Sequence, residues 1–192
     1  QDGQIACFSL AENLHHEGQL HVSVAPITQL TEALQKKAKD IFETLATAMD
    51  YVGVLAVELF QCGEELYVNE IAPRVHNSGH WTQQGCSTSQ FEQHIRAVLN
   101  LPLGSTELIG TSAMVNIIGC TAFSRDLIGI PDVHLHWYGK EVRKKRKMGH
   151  INVVAKSHAS LGKKLKQLIE FLPVEYFPKL ESEATRLENE KN

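Results

Sequence analysis

Two apolar stretches rich in β-branched residues constrain the fold of this chain more than any other feature. Tyr51–Phe60 and Glu65–Ile71 are separated only by Gln61-Cys62-Gly63-Glu64, and short apolar runs joined by a glycine-containing connection predict an antiparallel β-hairpin. Glu58 lies inside the first run and Glu70 near the end of the second. An ionised carboxylate inside an apolar run is costly to bury without a countercharge or a metal, so both positions are candidates for a functional site.

A loop with many different polar side chains follows the second run. Pro73 breaks the strand, and loops held by rigid strands are where binding and catalytic groups concentrate. The loop and the strand end before it supply an arginine, two histidines, two amides, a hydroxyl and a carboxylate, in the order Asn69, Glu70, Arg74, His76, Asn77, Ser78 and His80. This stretch is therefore the first place to look for chemistry.

Composition excludes several classes of protein. Of the 192 residues 43% are hydrophobic, which is enough for a packed core, and the net charge of −3 predicts no general attraction to nucleic acid or membranes. The four cysteines are widely spaced without a CxxC pair, which predicts reduced thiols in a cytoplasmic protein. We expect neither a membrane span nor a signal peptide.

The N-terminal part of the chain alternates strand and helix patterns. Ile5–Leu10 and Leu20–Val24 are predicted as strands joined around Glu17-Gly18. Apolar residues at three- and four-residue steps then predict an amphipathic helix from Pro26 to about Met49. A second helix should begin at Ser89, with Glu92 at capping-box spacing, and end before Pro102 with a buried face of Phe91, Ile95, Val98 and Leu99.

The C-terminal part is richer in short strands. Ala113–Ile118, Val133–Trp137 and Ile151–Ala155 are predicted strands, and apolar residues from Leu161 to Leu172 predict a closing helix. The charged tail from Glu181 to Asn192 is expected to fray. The fold class is α+β, with a boundary expected between residues 101 and 112.

The two glutamates of the hairpin suit a metal. Strand side chains alternate, so pairing of equal parity places Glu58 and Glu70 on one face, as diagonal neighbours roughly 7–8 Å apart. Such a pair can share Mg²⁺, which binds through few protein oxygens and the phosphates of a substrate. The alternative is that both glutamates are ordinary outward residues of a half-solvated sheet, which is the more common situation.

The cationic residues also have two interpretations. Arg74 can hold a developing phosphate or carboxylate beside His76 as a proton-handling group, or it can pair with Glu70 while His76 donates to a backbone carbonyl. Six of the 19 basic residues fall between Lys140 and Lys147. This basic loop can clamp a phosphate monoester, or it is a solvated charge run; nucleic-acid binding is disfavoured because no aromatic ladder interleaves with the charges.

Three stretches together resemble the 5-(carboxyamino)imidazole ribonucleotide synthases, a family of ATP-grasp ligases in purine biosynthesis. The first is Asn69 to Thr82, reading NEIAPRVHNSGHWT, the second Val57-Glu58-Leu59-Phe60, and the third Tyr138 to His150. The His-Asn-Ser-Gly-His run is the specific part, because other ATP-grasp carboxylases share only the glutamate and the arginine. The resemblance covers residues 1 to about 172.

The resemblance implies a reaction and a role for each matched residue. Bicarbonate and ATP would form carboxyphosphate, and the released CO₂ would be trapped on the exocyclic amine of aminoimidazole ribonucleotide. The implied roles are Mg²⁺ ligation by Glu58 and Glu70, nucleotide binding by Asn69 and Glu70, carboxyphosphate stabilisation by Arg74 with His76, aminoimidazole binding by His76, Asn77 and Ser78, and a grip on the 5′-phosphate by Lys140 and Arg146.

The resemblance also implies an organisation. Residues 1–104 would be the C-terminal portion of an ATP-grasp domain, and residues 105–192 a small β-rich domain. Family members carry an N-terminal half that supplies lysines for the ATP phosphates, so we expect this half as a missing partner, together with a homodimer. The alternatives are a sister ATP-grasp enzyme, such as a formate-dependent glycinamide ribonucleotide transformylase or a biotin carboxylase, and an inactive fragment that keeps dimerisation and metal or phosphate binding.

Overall fold

The computed structural model describes residues 3–190. Seven strands and five α-helices are defined in these residues. The strands are β1 (Glu12–His16), β2 (Gln19–Ala25), β3 (Ala56–Cys62), β4 (Glu65–Ala72), β5 (Thr111–Ile118), β6 (Val133–Trp137) and β7 (Lys147–Ala155). The helices are α1 (Glu32–Ala48), α2 (Thr82–Gly85), α3 (Gln90–Val98), α4 (His158–Ile169) and α5 (Leu180–Glu188). The α+β class is confirmed.

A five-stranded antiparallel sheet forms the larger part of the molecule. Its strand order is β1-β2-β5-β7-β6, and all eight residues of β5 are buried. Helix α4 packs on this sheet and α5 packs on α4. Burial of apolar area drives this arrangement, and the main core comprises residues such as Val24, Val115, Ile151, Leu165 and Leu187.

The sheet takes strands from both ends of the chain. Val22 of β2 pairs with Val115 of β5, and Val24 pairs with Ala113. The predicted division at residues 104 and 105 therefore does not separate two independent sheets. The division into residues 1–104 and 105–192 stays a prediction about units of sequence. The residues on its two sides share one hydrophobic core.

The structure corrects three predictions about the N-terminal part. Ile5–Leu10 is not a strand; the first strand is β1, although the turn at Glu17-Gly18 is present, with φ values of 48° and 74°. Helix α1 begins at Glu32 and not at Pro26, because the Thr31 hydroxyl caps it by accepting from the backbone N–H of Leu34 at 3.2 Å. Strand β3 begins at Ala56, five residues later than predicted.

The predicted buried face of α3 is also wrong. Ser89 does cap this helix, accepting from the Glu92 N–H at 3.2 Å. The residues that the helix buries are Gln90 and Gln93, however, and the apolar side chains are exposed, namely Phe91, Ile95, Val98 and Leu99. Apolar periodicity reports which face is apolar, and in this chain that face points away from the core.

The tail is packed, contrary to the expectation of fraying. Residues 180–188 form α5, which buries Leu180, Ala184 and Leu187 against α4. Charged residues on its other face hid this apolar stripe in the sequence. Gly162 of α4 permits the close approach, because a Cβ there would lie 2.4 Å from the backbone N of Glu188. Residues 191 and 192 lie outside the described part.

The β3–β4 hairpin stands apart as a two-stranded sheet. Of its 15 residues only Ala72 is buried. Its turn is Gly63-Glu64, and Lys37 of α1 contacts it by donating to Glu64 O at 2.9 Å and Glu65 Oε1 at 3.0 Å. The polar side chains of this hairpin are thus carried by an element that buries little of its own surface. None of the described helices is long and apolar enough to cross a membrane.

Candidate active site

A β-bulge brings the two glutamates of the hairpin directly opposite each other. Glu58 pairs with Glu70, and the next pair is Leu59 with Val68, so Asn69 is the extra residue of the bulge. The diagonal offset expected from the sequence is therefore wrong, although the shared face is confirmed. Bulges re-aim side chains, and here the Asn69 side chain reaches the same place, with Nδ2 3.5 Å from Glu58 Oε2.

The imidazole of His76 lies between the two carboxylates. Its Nδ1 is 3.7 Å from Glu58 Oε1, and its Nε2 is 3.8 Å from Glu70 Oε1. The Glu58 side chain is 11% exposed, whereas that of Glu70 is 48% exposed. The Glu58 carboxylate is thus sheltered behind the ring, and the Glu70 carboxylate faces the solvent.

His76 is held as a neutral ring. Burial lowers its pKa, and the nearby Glu58 and Glu70 only partly oppose that effect. Its Nδ1 accepts from the backbone N–H of Ser78 at 3.4 Å and lies 2.8 Å from the Ser78 hydroxyl. An accepting Nδ1 leaves the ring proton on Nε2, on the side of Glu70.

Arg74 lies next to the carboxylate of Glu70. One of its terminal nitrogens is 3.9 Å from Glu70 Oε1 and the other donates to Val75 O at 3.0 Å. The side chain is 60% exposed, and a loose, exposed ion pair contributes little to stability. Most of the guanidinium donors therefore remain available for an anionic ligand.

Asn77 is fixed from two sides by residues that sequence reasoning missed. Its Nδ2 donates to Asn116 Oδ1 at 3.0 Å, while its Oδ1 accepts from Asn116 Nδ2 at 2.7 Å and from Lys147 Nζ at 2.6 Å. Asn116 is fully buried on β5 and also donates to Leu20 O. The amide of Asn77 is consequently oriented by the sheet, and not by its own loop.

Lys147 connects the basic loop to the carboxylates. Burial lowers its pKa, Glu58 and Glu70 raise it, and Arg74 and Lys140 lower it. Its amine is also in direct contact with the site, because it donates to Asn77 Oδ1 at 2.6 Å. The signal available in the sequence was its adjacency to Arg146 at the start of a strand, but position within a charge run does not reveal which lysine points inward.

The structure leaves Lys140 and Arg146 on the basic loop, where their described side-chain contacts are with Tyr138 and Glu141 of the same stretch. Lys140 Nζ lies 4.8 Å from the centre of the Tyr138 ring, in a cation–π arrangement. Arg146 donates to Glu141 O at 3.3 Å, a contact within its own loop. Lys140 is exposed and Arg146 is half-buried, so both cations are accessible to an anion.

Three histidine rings lie together, and that of His150 contacts Tyr138, which precedes the basic loop. His136 and His150 stack with ring centres 4.4 Å apart, and His80 lies 4.9 Å from His150. His150 Nε2 faces Gln83 Oε1 at 3.1 Å, an acceptor, so the Nδ1 of His150 accepts from the Tyr138 hydroxyl at 2.6 Å. Burial lowers the pKa of His150 to about 3 and that of His80 to about 4.

The donor set at the hairpin fits Mg²⁺. Two carboxylates from opposed positions offer hard oxygen ligands, which this ion prefers. Glu58 has only long contacts to Asn69 and His76, so its oxygens have bonding capacity left for a cation. Glu58 and Glu70 would hold the ion, and its chemistry would be to neutralise phosphate charge.

The predicted residues of the hairpin and its loop are thus brought together. Glu58, Asn69, Glu70, Arg74, His76 and Ser78 form one connected group. Asn77 joins them through Lys147, and Lys140 through the electrostatic field at Lys147. Two further buried residues complete the arrangement, Asn116 and Gln90, and neither carries a motif that points to it.

Two family models match different parts of this chain. The family described as the ATP-grasp domain matches residues 1–91, and that described as the phosphoribosylaminoimidazole carboxylase C-terminal domain matches residues 112–164. Two relatives named N5-carboxyaminoimidazole ribonucleotide synthase are similar along most of this chain. The Vibrio cholerae protein is 48% identical over 97% of this chain, and the Escherichia coli protein 45% identical over 91%.

Solved structures agree with these relatives. The N5-carboxyaminoimidazole ribonucleotide synthetase of Thermus thermophilus superposes with a TM-score of 0.85 at 51% identity, covering 88% of this chain and 47% of its own. The Aspergillus clavatus synthase in complex with ADP and 5-aminoimidazole ribonucleotide has a TM-score of 0.79 at 34% identity, covering 85% and 46%. The chain spans about half the length of the relatives it matches, 48% for V. cholerae and 49% for E. coli.

Proposed function

The chain belongs to the N5-carboxyaminoimidazole ribonucleotide synthases of the ATP-grasp family, and from this premise we propose that it carries one side of their active site. The proposed reaction is the ATP-dependent carboxylation of 5-aminoimidazole ribonucleotide with bicarbonate. The observation that carries the proposal is the convergence of Glu58, Glu70 and Arg74 on His76. The A. clavatus relative binds ADP and 5-aminoimidazole ribonucleotide, which supports the same ligands here.

In the first step bicarbonate attacks the γ-phosphorus of ATP, the bond to the β-phosphate oxygen breaks, and ADP leaves. Glu58 and Glu70 would hold Mg²⁺, which neutralises phosphate charge, and Asn69 would contact the nucleotide beside them. Arg74 would donate to the carboxyphosphate that forms, since its guanidinium is exposed and only loosely paired. Phosphoryl transfer depends on such positioning and charge stabilisation more than on covalent catalysis.

In the second step carboxyphosphate gives CO₂ and phosphate, and the exocyclic amine of the ribonucleotide attacks the CO₂ carbon. The amine loses one proton on forming the carbamate, and the phosphate released from carboxyphosphate takes up that proton. His76 is neutral, with burial lowering its pKa, so it would hold the reacting groups without adding a cation. Asn77 and Ser78 would bind the aminoimidazole, and Asn77 is suited to this because its amide is already oriented by Asn116 and Lys147.

The 5′-phosphate of the ribonucleotide would bind at the basic loop. Lys140 and Arg146 would contact it there, since Lys140 is exposed and Arg146 is half-buried. Lys147 would compensate the charge that the carboxylates and substrates bring to the centre, because its amine already interacts electrostatically with Glu58 and Glu70. This role for Lys147 extends the set predicted from the sequence.

The experiment uses a chimera that joins the unmatched half of the V. cholerae relative to this chain. We expect ATP hydrolysis that depends on Mg²⁺ and is stimulated by bicarbonate and aminoimidazole ribonucleotide, with no response to glycinamide ribonucleotide plus formate. This chain alone should hydrolyse ATP at the background rate, because the proposed phosphate lysines belong to the other half. An inactive, folded chimera would favour the alternative of a binding fragment.

We also propose a homodimer formed through α3. Ile95, Val98 and Leu99 are 53%, 47% and 62% exposed on the side that turns away from the core. Contiguous apolar patches mark interaction sites. Sedimentation equilibrium should give a dimer whose dissociation is promoted by Val98→Glu; a monomer at all concentrations would refute it.

The proposed location is the cytoplasm. All four cysteines are free, with Cys7 and Cys62 exposed. Exposed free thiols are typical of a reducing compartment. Fractionation of the producing cells, followed by detection of the chain, tests this proposal.

A further inference from the structure

One buried side chain forms a double link with the backbone of His76. Gln90 is 2% exposed, and its carboxamide faces the loop that precedes it by 14 residues. The Oε1 atom accepts from the His76 N–H at 3.0 Å, and Nε2 donates to His76 O at 2.7 Å. This is the hydrogen-bond pattern of a neighbouring strand, supplied by a single side chain.

The same carboxamide also contacts the second histidine of the loop. Gln90 Nε2 lies 2.8 Å from His80 Nδ1. Since the amide nitrogen can only donate, this ring nitrogen of His80 must accept, and its proton sits on the other nitrogen. All three contacts of the carboxamide are thus with the two ends of the His-Asn-Ser-Gly-His run, His76 and His80.

The loop is wound closely around Gln90. A Cβ on Gly79 would lie 2.6 Å from Gln90 Oε1 and 2.9 Å from its Cδ, so only glycine leaves room for the carboxamide. Thr82 fixes the other side, donating from its hydroxyl to Gly79 O at 2.7 Å and accepting from the Gln90 N–H at 2.9 Å. The packing of Gln90, which lies outside the His-Asn-Ser-Gly-His run, therefore explains why that run has a glycine at position 79.

We propose that Gln90 is a positioning residue that sets the place of the His76 ring between the two carboxylates. The N–H of His76 donates to Gln90, and its C=O accepts from Gln90 and from the Gly79 N–H. Loss of the carboxamide would leave the N–H without its partner, which is costly for a buried polar group. Loss of the carboxamide would therefore release the loop segment that carries the ring. The catalytic consequence rests on the proposed function, whereas the positioning does not.

The chain contains a matched control for this residue. Gln93, one turn later on α3 and 5% exposed, accepts from the Gly104 N–H at 3.0 Å and donates to Gly104 O at 2.6 Å. It makes the same double link with a backbone residue, but that residue lies in the connection before β5. Removal of either carboxamide costs a comparable pair of buried hydrogen bonds, and only Gln90 faces the site.

Hydrogen exchange of this chain provides the first test. In Gln90→Leu the protection of the His76 amide should fall at least tenfold while that of Gly104 is unchanged, and Gln93→Leu should give the reverse. Nitrogen NMR of the His80 ring should show its tautomer disturbed in Gln90→Leu and Gln90→Glu, and intact in Gln93→Leu. Equal effects of the leucine variants on both amides would overturn the positioning role.

Kinetics of the chimera provides the second test. We expect kcat to fall at least tenfold in Gln90→Leu with KM for ATP within twofold, and both constants to stay within twofold in Gln93→Leu. Parallel loss in both variants would mean that Gln90 acts only through stability, and would overturn the catalytic part. If the unmodified chimera is inactive, the proposed function fails, and exchange alone decides the positioning.

A double substitution checks the packing around the glycine. Gly79→Ala should lower the melting temperature clearly when Gln90 is present, and much less when it is combined with Gln90→Ser, which vacates the space. A penalty of equal size in both backgrounds would contradict the close winding of the loop around this side chain.

Discussion

The five-stranded sheet and the β3–β4 hairpin differ in almost every physical respect. All eight residues of β5 in the sheet are buried, whereas the strands of the hairpin bury only Ala72. Yet both metal candidates lie on the hairpin, and the groups that orient Asn77 lie on the sheet. The two candidate metal ligands thus lie on the exposed hairpin. The residues that orient Asn77 lie on the buried sheet.

This division has an energetic reason. Charged groups are costly to bury without a partner, and Glu70 and Arg74 stay 48% and 60% exposed. Their geometry then has to be imposed from elsewhere, by residues such as Asn116 and Gln90 that are buried and fully bonded. Changes on the two sides should therefore have different consequences.

The largest effect is expected at the hairpin and should concern function alone. In the chimera, Glu58→Gln or Glu70→Gln should lower ATP turnover more than about a hundredfold, since metal charge contributes several kcal/mol to such transition states. The melting temperature should change little, because the hairpin adds few buried contacts. Turnover assays and thermal unfolding check this; unchanged turnover would remove the metal assignment.

A core substitution should show the opposite pattern. Leu165→Ala in α4 removes a fully buried side chain and should lower the free energy of unfolding by about 2–5 kcal/mol. The comparison is Phe60→Ala on the hairpin, whose side chain is 60% exposed and whose loss should cost far less. Urea denaturation of both variants measures the difference, and similar costs would erase the contrast between the two regions.

The histidine stack at the border of the two regions should make stability depend on pH. Burial lowers the pKa of His150 from 6.5 to about 3, so between these values the unfolded chain binds a proton that the folded chain excludes. Stability is therefore lost as the pH falls below 6.5, by roughly 3 kcal/mol from this ring at pH 4.5.

Denaturation curves at pH 7 and pH 4.5 check this expectation, with His150→Gln as the comparison. The variant has no ring to protonate at this position, so its loss of stability over the same interval should be smaller. The same loss in both proteins would show that carboxylates alone account for the acid sensitivity.

The smallest effect is expected at the rim of the basic loop. Lys140→Ala or Arg146→Ala in the chimera should raise KM for the ribonucleotide by an amount equivalent to about 1.5–3 kcal/mol, the range for hydrogen bonds to charged groups. KM for ATP should stay the same. The control is Arg143→Ala, since Arg143 already pairs with Glu141 within the loop at 2.7 Å. Equal changes for both substrates would make the loop structural.

The sequence by itself determined the features that depend on neighbours along the chain. Strand β6, the hairpin around Gly63, the Ser89 cap and the shared face of Glu58 and Glu70 were predicted, because side-chain alternation and capping are local properties. The periodicity of α3 was also local, and it reported an apolar face without reporting where that face points.

Only the tertiary structure decided which distant residues meet. The contacts of Lys147 with Asn77 and of Asn116 with Leu20 join residues 70 and 96 positions apart. Such contacts follow from the pairing of β2 with β5 and of β5 with β7, and a shift of one residue in either register would turn these side chains to the opposite face. The burial of Gln90, the packing of α5 on α4 and the contact of Lys147 with Asn77 are likewise tertiary, and no local pattern encodes them.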